Sequence, residues 1–372
     1  MEEFKKTIQY HPNALNNSLS ALPYSKNEIC FFDIETTGLS PRISSVYLIG
    51  AVYFDGENFQ LVQWFADDYV SEKNLLESFS AFLQSFSVLI HYNGTTFDIP
   101  YLEKKYMQHQ LKSPFPELES LDLFTDIRRQ KNWFDTPDKK LATMEKLLGF
   151  ERNDRYTGKD CIAIYTDFMQ KKVFHDRSAD DCKKNLLLHN HDDLIGTILC
   201  SQFLLYTRCS TVHQPIIKIA EDSFAIQDTI HGSFPLPFQR QLLSKNNDYI
   251  GMISFSGQTI CMEIPLFHGT LRHFFKDYKN YYYLPVEDMA VHKSVGIYVD
   301  SSRREKATAS NCYTKKTGTF LLLPDKAALS SMPHFQEEKK SPVHYLLLDE
   351  NKPLSKEQIQ ELFYDLQSSL FH

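Results

Sequence analysis

The apolar run Ile29-Cys30-Phe31-Phe32, followed at once by Asp33-Ile34-Glu35-Thr36-Thr37-Gly38, constrains this chain more than any other segment. A run this apolar reads as a buried strand, and in a strand side chains two apart share a face. Asp33 and Glu35 therefore project together from the strand end, where their charges repel and desolvation costs free energy. A hard divalent cation is the usual reason for such a pair. Thr36-Thr37-Gly38 then turns the chain sharply. A lone D-x-E is more often a polar strand end entering a turn. The apolar strand in front of D-I-E-T-T-G reverses that preference.

The segments around this strand set the fold class. Residues 46–54 (VYLIGAVYF) and 58–66 (NFQLVQWFA) read as two strands joined at Asp55-Gly56, a hairpin signal. A helix follows over 72–86, with Leu75, Leu76, Phe79, Phe82 and Leu83 on one stripe. Next come an apolar strand, 87–92, and a helix over 98–111 opened by Asp98 and Pro100. Residues 119–124 (ESLDLF) supply a fifth strand, and 121–206 is mostly helical with loops near 132–140 and 150–158. Strands in hairpin succession, then strand and helix in alternation, argue for an α/β fold. A mixed five-stranded sheet flanked by helices is expected. The pattern changes near Thr207–Pro215. Beyond it, short β runs dominate at 249–255, 258–264, 281–284, 295–299 and 319–323. Residues 325–342 read as a polar loop, then come a strand at 343–348 and a helix from Ser355, where Ser355 and Gln358 fit a capping box. A chain of 372 residues suits two cores. We expect one domain over 1–208, with its core at about 25–206, and a mostly β domain over 209–372.

Composition limits the partners and the compartment. A net charge of −7 argues against attachment to nucleic acid by overall charge, while leaving room for a local basic groove. The 7 cysteines are odd in number, scattered, and never spaced C-x-x-C, which argues against a zinc site or a disulfide framework. The opening MEEFKKTIQYHPN lacks an apolar signal core, and no apolar run reaches membrane-spanning length. The expectation is a soluble, reduced, cytoplasmic protein.

Two further acidic motifs follow the first. Asn93-Gly94-Thr95-Thr96-Phe97-Asp98 is, by itself, a turn and a helix N-cap. Downstream of D-I-E-T-T-G, its Asp98 becomes a candidate metal ligand at the mouth of the sheet. In His189-Asn190-His191-Asp192-Asp193, His189 and Asp193 lie four apart on a helix and share a face. Leu187, Leu194 and Ile198 form the neighbouring stripe that anchors this helix. His191 and Asp192 point elsewhere, as solvated or secondary residues. A His beside an Asp in a helix is more often structural than functional, so this third motif is informative only in company.

In combination the motifs resemble the DEDD-type 3′–5′ exonucleases, which have the ribonuclease H-like fold. Asp33 and Glu35 match the first motif of that superfamily; Asn93, Phe97 and Asp98 match the second; Asp193 matches the last acid. SLDLF, the Arg pair at 128–129, LATMEKLLGFER and Gly158 also resemble a bacterial branch of ribonuclease-H-like predicted exonucleases. The resemblance covers about 25–206. It departs in one place: His189 stands four residues before Asp193, the offset of the superfamily's tyrosine branch, and the histidine branch would need His at 188, which is Leu.

The resemblance implies a metal-dependent 3′–5′ exonuclease acting on DNA or RNA. Asp33, Glu35, Asp98 and Asp193 would hold two ions, and the all-oxygen ligand set suits Mg²⁺ or Mn²⁺. His189 would orient or deprotonate the attacking water, and Thr36, Asn93 and Phe97 would lie near the substrate. The alternative is a nucleic-acid-binding protein that keeps the fold with weak or no catalysis. In the second domain, Phe274-Phe275-Lys276, Tyr281-Tyr282-Tyr283, Arg303-Arg304-Glu305-Lys306 and Tyr313-Thr314-Lys315-Lys316 interleave rings with cations. Such stretches can stack bases, although core aromatics in hairpins with solvated charges are the commoner outcome.

Overall fold

The computed structural model describes residues 1–8, 19, 22–129, 134, 136–208, 215–229, 233–243, 249–325, 327–349 and 351–368. Residues 209–214 of the expected junction, and 132, 133 and 135 of the loop expected near 132–140, lie outside the described residues. The chain divides into two compact units: Met1–Cys209 with His231–Leu236, and Ser210–Ile230 with Pro237–His372.

The first unit is built on a mixed six-stranded sheet with the order β1-β4-β3-β2-β5-β6. Its strands are β1 (Glu2–Ile8), β2 (Ile29–Thr36), β3 (Val46–Phe54), β4 (Phe59–Phe65), β5 (Val88–His91) and β6 (Glu119–Asp122). The expected hairpin is present. Asp55 Oδ1 accepts from the backbone N–H groups of Glu57 and Asn58, and Gly56 takes φ 106°. β2 pairs antiparallel with β3 and parallel with β5. The sheet gains one strand over the five expected, the edge strand β1. In EEFKKTI only Phe4 and Ile8 are apolar, which leaves little periodicity to read, and the lysines suit an exposed edge. Phe4 nevertheless packs on the main core, and Glu3 accepts a hydrogen bond from the Trp64 indole at 2.9 Å.

Helices cover the sheet: α1 (Glu72–Leu83), α2 (Asp98–Gln108), α3 (Leu123–Arg129), α4 (Leu141–Leu147), α5 (Gly158–Val173), α6 (Ala179–Cys200) and α7 (Leu204–Arg208). α1 buries Leu75, Leu76, Phe79 and Leu83, four of the five residues in the predicted stripe. Phe32 of β2 meets Phe79 there, ring centroids 5.7 Å apart. Because strand side chains alternate, Asp33 and Glu35 are turned to the other face, where α6 lies. α6 approaches closely because β3 has Gly50 beneath it: a Cβ there would come within 2.0 Å of the Asn190 carboxamide oxygen and 2.7 Å of Leu194. A bulge in the β2–β3 ladder at Glu35/Thr36 accompanies this approach, the kind of irregularity that re-aims a side chain at a strand end.

The second unit is mainly antiparallel. An eight-stranded sheet includes the long strand β7 (Thr259–Phe274), paired with β11 (Tyr313–Leu323), and a three-stranded sheet is formed by β8 (Tyr281–Leu284), β9 (Met289–His292) and β10 (Glu305–Lys306). The strand expected at 295–299 is displaced to β9. His292 accepts from the backbone N–H of Ser294 and starts a short helix at Lys293–Gly296 instead. Within the polar stretch 325–342, His334–Phe335 makes a two-residue strand. The capping box at Ser355 and Gln358 is formed reciprocally. The rings of this unit largely serve its own packing: Phe275 stacks on Tyr281 at 4.5 Å, and Tyr278 and Tyr283 join them around Ala290, Ala307 and Cys312. Among the described residues, no helix is long and apolar enough to cross a membrane.

Candidate active site

Three segments deliver the acidic residues. β2 carries Asp33 and Glu35. The loop after β5 carries Asp98 at the start of α2, where the helix N-terminus favours negative charge. α6 carries His189, Asn190 and Asp193 on adjoining positions of one face. β2 and β5 run parallel, so the first two segments reach the same edge of the sheet at their carboxyl ends, the usual location of sites in open sheets with parallel strands.

The loop before Asp98 is held by Asp122 at the end of β6. Its carboxylate accepts from the backbone N–H groups of Asn93 at 2.9 Å, Thr95 at 3.2 Å and Phe124 at 3.0 Å. Asn93 takes a left-handed φ of 67°, and its side-chain oxygen accepts from the Thr96 hydroxyl. Gly94 passes so close to His91 that a Cβ would lie 2.6 Å from the ring nitrogen. The Gly94 N–H donates to His91 Nδ1, so the ring proton sits on Nε2, against Ser120. Burial lowers the His91 pKa to about 4, against the opposing pull of Asp122, which keeps the ring neutral. Phe97 packs on Tyr101 and the main core, and Thr36 donates to the Gly38 carbonyl. Asn93, Phe97 and Thr36 thus shape the segments that present the acids.

At the centre, His189 Nε2 lies 3.5 Å from Glu35 Oε1 and 3.4 Å from Asp193 Oδ2. One donor atom from each of Glu35, His189 and Asp193 falls within 4.8 Å of the others, a spacing that one cation could bridge. Asn190 Nδ2 donates to Asp33 Oδ2 at 2.9 Å, while its oxygen accepts from Gln63 at 2.8 Å. The carboxylates disturb one another strongly. Desolvation, then the charges of Asp193, Asp98 and Glu35, hold Asp33 well above the usual carboxylate range. Glu35 is pushed up to about 8, by burial first and then by Asp193, Asp98 and Asp154, against the relief given by His189. Asp98 is pushed up to about 7 by burial, with Asp122 and Asp193 adding to it, although it accepts from the backbone N–H of Ile34. His189 is raised: burial works against its charge, but Asp193, Glu35 and Asp154 outweigh it. Acids are packed here until their own charge is disfavoured, and the oxygen-rich donor set fits a hard divalent cation.

Four residues that the sequence reading did not single out complete the site. Asp154 Oδ2 accepts from His189 Nδ1 at 2.5 Å. Arg152 donates to both oxygens of Glu145, at 2.6 and 2.7 Å, and reaches Asp193 Oδ1 at 2.6 Å. Asn190 could have been found from its position three residues before Asp193, on the same helix face. Glu145 and Arg152 lie within LATMEKLLGFER and Asp154 just beyond it, but no local pattern marks them as partners of the acidic motifs. The expectation for Asp192 needs correction. It is fully buried rather than solvated: its Oδ2 accepts from the backbone N–H groups of Asn153 and Asp154 at 2.8 and 2.9 Å, and its Oδ1 from His191.

The family model of the RNase_H superfamily matches residues 30–204, the stretch that builds five of the six strands of this sheet and most of its helices. The chain is 29% identical over 193 residues to the uncharacterized protein YprB of Bacillus subtilis (strain 168), covering 51% of this chain and 45% of that protein. Among solved structures, the family B DNA polymerase of Pyrobaculum calidifontis aligns with 12% identity and a TM-score of 0.35, over 68% of this chain and 35% of the polymerase. E. coli Exonuclease I, in complex with a dT13 oligonucleotide, aligns with 14% identity and a TM-score of 0.27, over 57% of this chain and 54% of that one. The chain therefore spans between about a third and about half of each relative. The match to the RNase_H superfamily thus covers a little under half of the chain, residues 30–204.

Proposed function

We propose that this chain is a metal-dependent 3′–5′ exonuclease that hydrolyses phosphodiester bonds of DNA or RNA. The observation that carries this reading is the convergence of Glu35, Asp193 and His189 on one point, with Asp33 and Asp98 close enough to raise the pKa values around it. The match of residues 30–204 to the RNase_H superfamily model supports a nuclease-type function. The 3′–5′ direction rests on the resemblance of the three motifs to DEDD-type exonucleases.

Asp33, Glu35, Asp98 and Asp193 would hold two Mg²⁺ or Mn²⁺ ions. Bound there, such ions supply the positive charge that favours the attacking and leaving oxygens of an in-line displacement. The protein's own groups do the rest. His189 Nε2, facing the carboxylates, would accept a proton from the attacking water. Asn190 fixes the rotamer of Asp33, and Arg152 fixes that of Asp193. The local structure thus holds the acids in place before substrate arrives.

Labelled oligonucleotides blocked at either end, incubated with Mg²⁺, Mn²⁺ or chelator, test the proposal. Stepwise shortening that needs metal and a free 3′ end is expected. Cleavage of doubly blocked strands would instead indicate an endonuclease. Binding without cleavage under every metal condition would overturn the enzymatic reading in favour of a binding protein.

A further inference from the structure

Asp154 lies in the loop between α4 and α5, far from any acidic motif, yet its carboxylate is fully engaged. Oδ2 accepts from His189 Nδ1 at 2.5 Å, and Oδ1 accepts from the backbone N–H of Tyr156 at 3.0 Å. Both partners of the histidine bond are buried, at 5% and 8% exposure. We propose that Asp154 is a positioning residue that sets the tautomer and aim of His189, and that Asp192 builds the loop that carries it. This inference rests on the function proposed above and deepens it.

An ionised carboxylate can only accept, so the proton of this hydrogen bond belongs to Nδ1. That leaves Nε2 as the nitrogen that exchanges protons, and Nε2 is the one aimed at Glu35 and Asp193. A histidine held only by packing could rotate or change tautomer and present an N–H where a lone pair is needed. The partner on the far side of the ring removes that freedom, the arrangement used wherever a histidine base is oriented by an acid. Asp192 supplies the next level. Its buried carboxylate binds the backbone N–H groups of Asn153 and Asp154, which fixes where the loop crosses α6. The loop is anchored a second time by Arg152, which spans Glu145 and Asp193. One helix therefore provides the histidine and, three residues on, the carboxylate that places the histidine's partner.

A purely structural Asp154 would stabilise the loop without controlling the ring, and two measurements separate the cases. The first is ¹⁵N–¹H spectroscopy of histidine-labelled, metal-free protein at alkaline pH, where the ring carries one proton. The chain has 14 histidines, so the His189 signal is assigned by its loss in His189→Ala. The unsubstituted protein should carry its proton on Nδ1, and Asp154→Asn should shift it to Nε2. An Nε2 proton in the unsubstituted protein, or no change in Asp154→Asn, would overturn the proposal without any variant needing to be active. The second is steady-state cleavage with Mg²⁺ or Mn²⁺. Asp154→Asn should lower kcat by on the order of 10²–10⁴-fold with KM and metal affinity held. In a His189→Ala background it should cost nothing further, whereas an equal loss there would show that Asp154 acts independently of the ring. If the unsubstituted protein cleaves nothing, the exonuclease reading fails, and the tautomer still decides the role of Asp154.

Discussion

Gly196→Ala is the most informative single perturbation of this site, although residue 196 touches no reacting group. Gly196 lies inside α6, where alanine would ordinarily favour the helix by about 1 kcal/mol. Here a Cβ would stand 1.7 Å from Glu145 Oε1 and 2.7 Å from its carboxyl carbon. Ordinary contact needs about 3.5 Å, so the glutamate must leave. Glu145 is 1% exposed and holds Arg152 through both oxygens. Displacing it breaks a buried, bidentate ion pair, a loss of about 3–5 kcal/mol. Set against the helix gain, the net effect is about 2–4 kcal/mol, or a Tm lower by roughly 5–15 °C for a unit of this size.

The assay is thermal and urea unfolding of four proteins: the parent, Gly196→Ala, Glu145→Ala and the double variant. Glu145→Ala removes the obstacle, so adding Gly196→Ala to it should be neutral or stabilising. The interaction term of this cycle should therefore oppose the single-variant loss and exceed about 2 kcal/mol. Gly196→Ala as stable as the parent, or a double variant as damaged as the sum of the singles, would refute the reasoning. Arg152 would then not depend on Glu145 for its place beside Asp193.

Other consequences follow from the same geometry. Asp33→Ala, Glu35→Ala, Asp98→Ala and Asp193→Ala should each abolish divalent-dependent cleavage with circular dichroism unchanged; persistence of activity in any one would remove that residue from the cluster. Asp192→Ala should destabilise by about 2 kcal/mol or more, because it removes the acceptor of the Asn153 and Asp154 backbone N–H groups, the latter buried, and leaves Asp154 unplaced; a variant with parental Tm and kcat would contradict this. In chelator, Tm should fall between about pH 5 and pH 8. Glu35 and Asp98 have folded pKa values raised to about 8 and about 7, so the native state binds more protons than the unfolded one across that window, and the raised His189 acts in the same sense. Added Mn²⁺ should reverse the trend, since the ligands bind it deprotonated; a Tm that climbs with pH in chelator would show the acids are not packed as described. His189→Tyr should retain substantial cleavage and His189→Ala should lose most of it, judged by steady-state rates across pH 5.5–9.

The parts of the fold visible in the sequence were those with a strong apolar pattern. β2, β3 and β5 are apolar on both faces because helices cover both sides of the sheet there, and such runs stand out in any composition. β1 and β9 were missed for the opposite reason: an edge strand and a strand in a small satellite sheet need few apolar residues. The strand expected at 295–299 had the right residues, VGIYV, but His292 caps a turn of helix in front of it, and a cap acts locally where an apolar count does not. Val295, Ile297 and Tyr298 are left exposed as a result.

The site divides along the same line. Asp33, Glu35, His189 and Asp193 were legible because strand and helix periods place them on shared faces without reference to the rest of the chain. The offset of four between His189 and Asp193 fits the geometry found: one turn of α6 brings Nε2 within 3.4 Å of Asp193 Oδ2, and the ring also reaches Glu35 on β2. Asp154, Arg152 and Glu145 were not legible, since their roles exist only once a loop of no regular structure is laid across α6. What writes that loop into the sequence is Asp192, which looked like a surface residue beside Asp193. Its burial follows from the helix itself. A residue next to a site-facing position points about 100° away around the axis, and on α6 that direction is filled by the 152–154 backbone instead of water. A carboxylate there would be expelled unless it met donors, and two backbone N–H groups meet it. An acid adjacent to a predicted ligand in a buried helix is thus a signal that a loop must arrive to satisfy it, and in this chain the arriving loop brings the partner of the histidine.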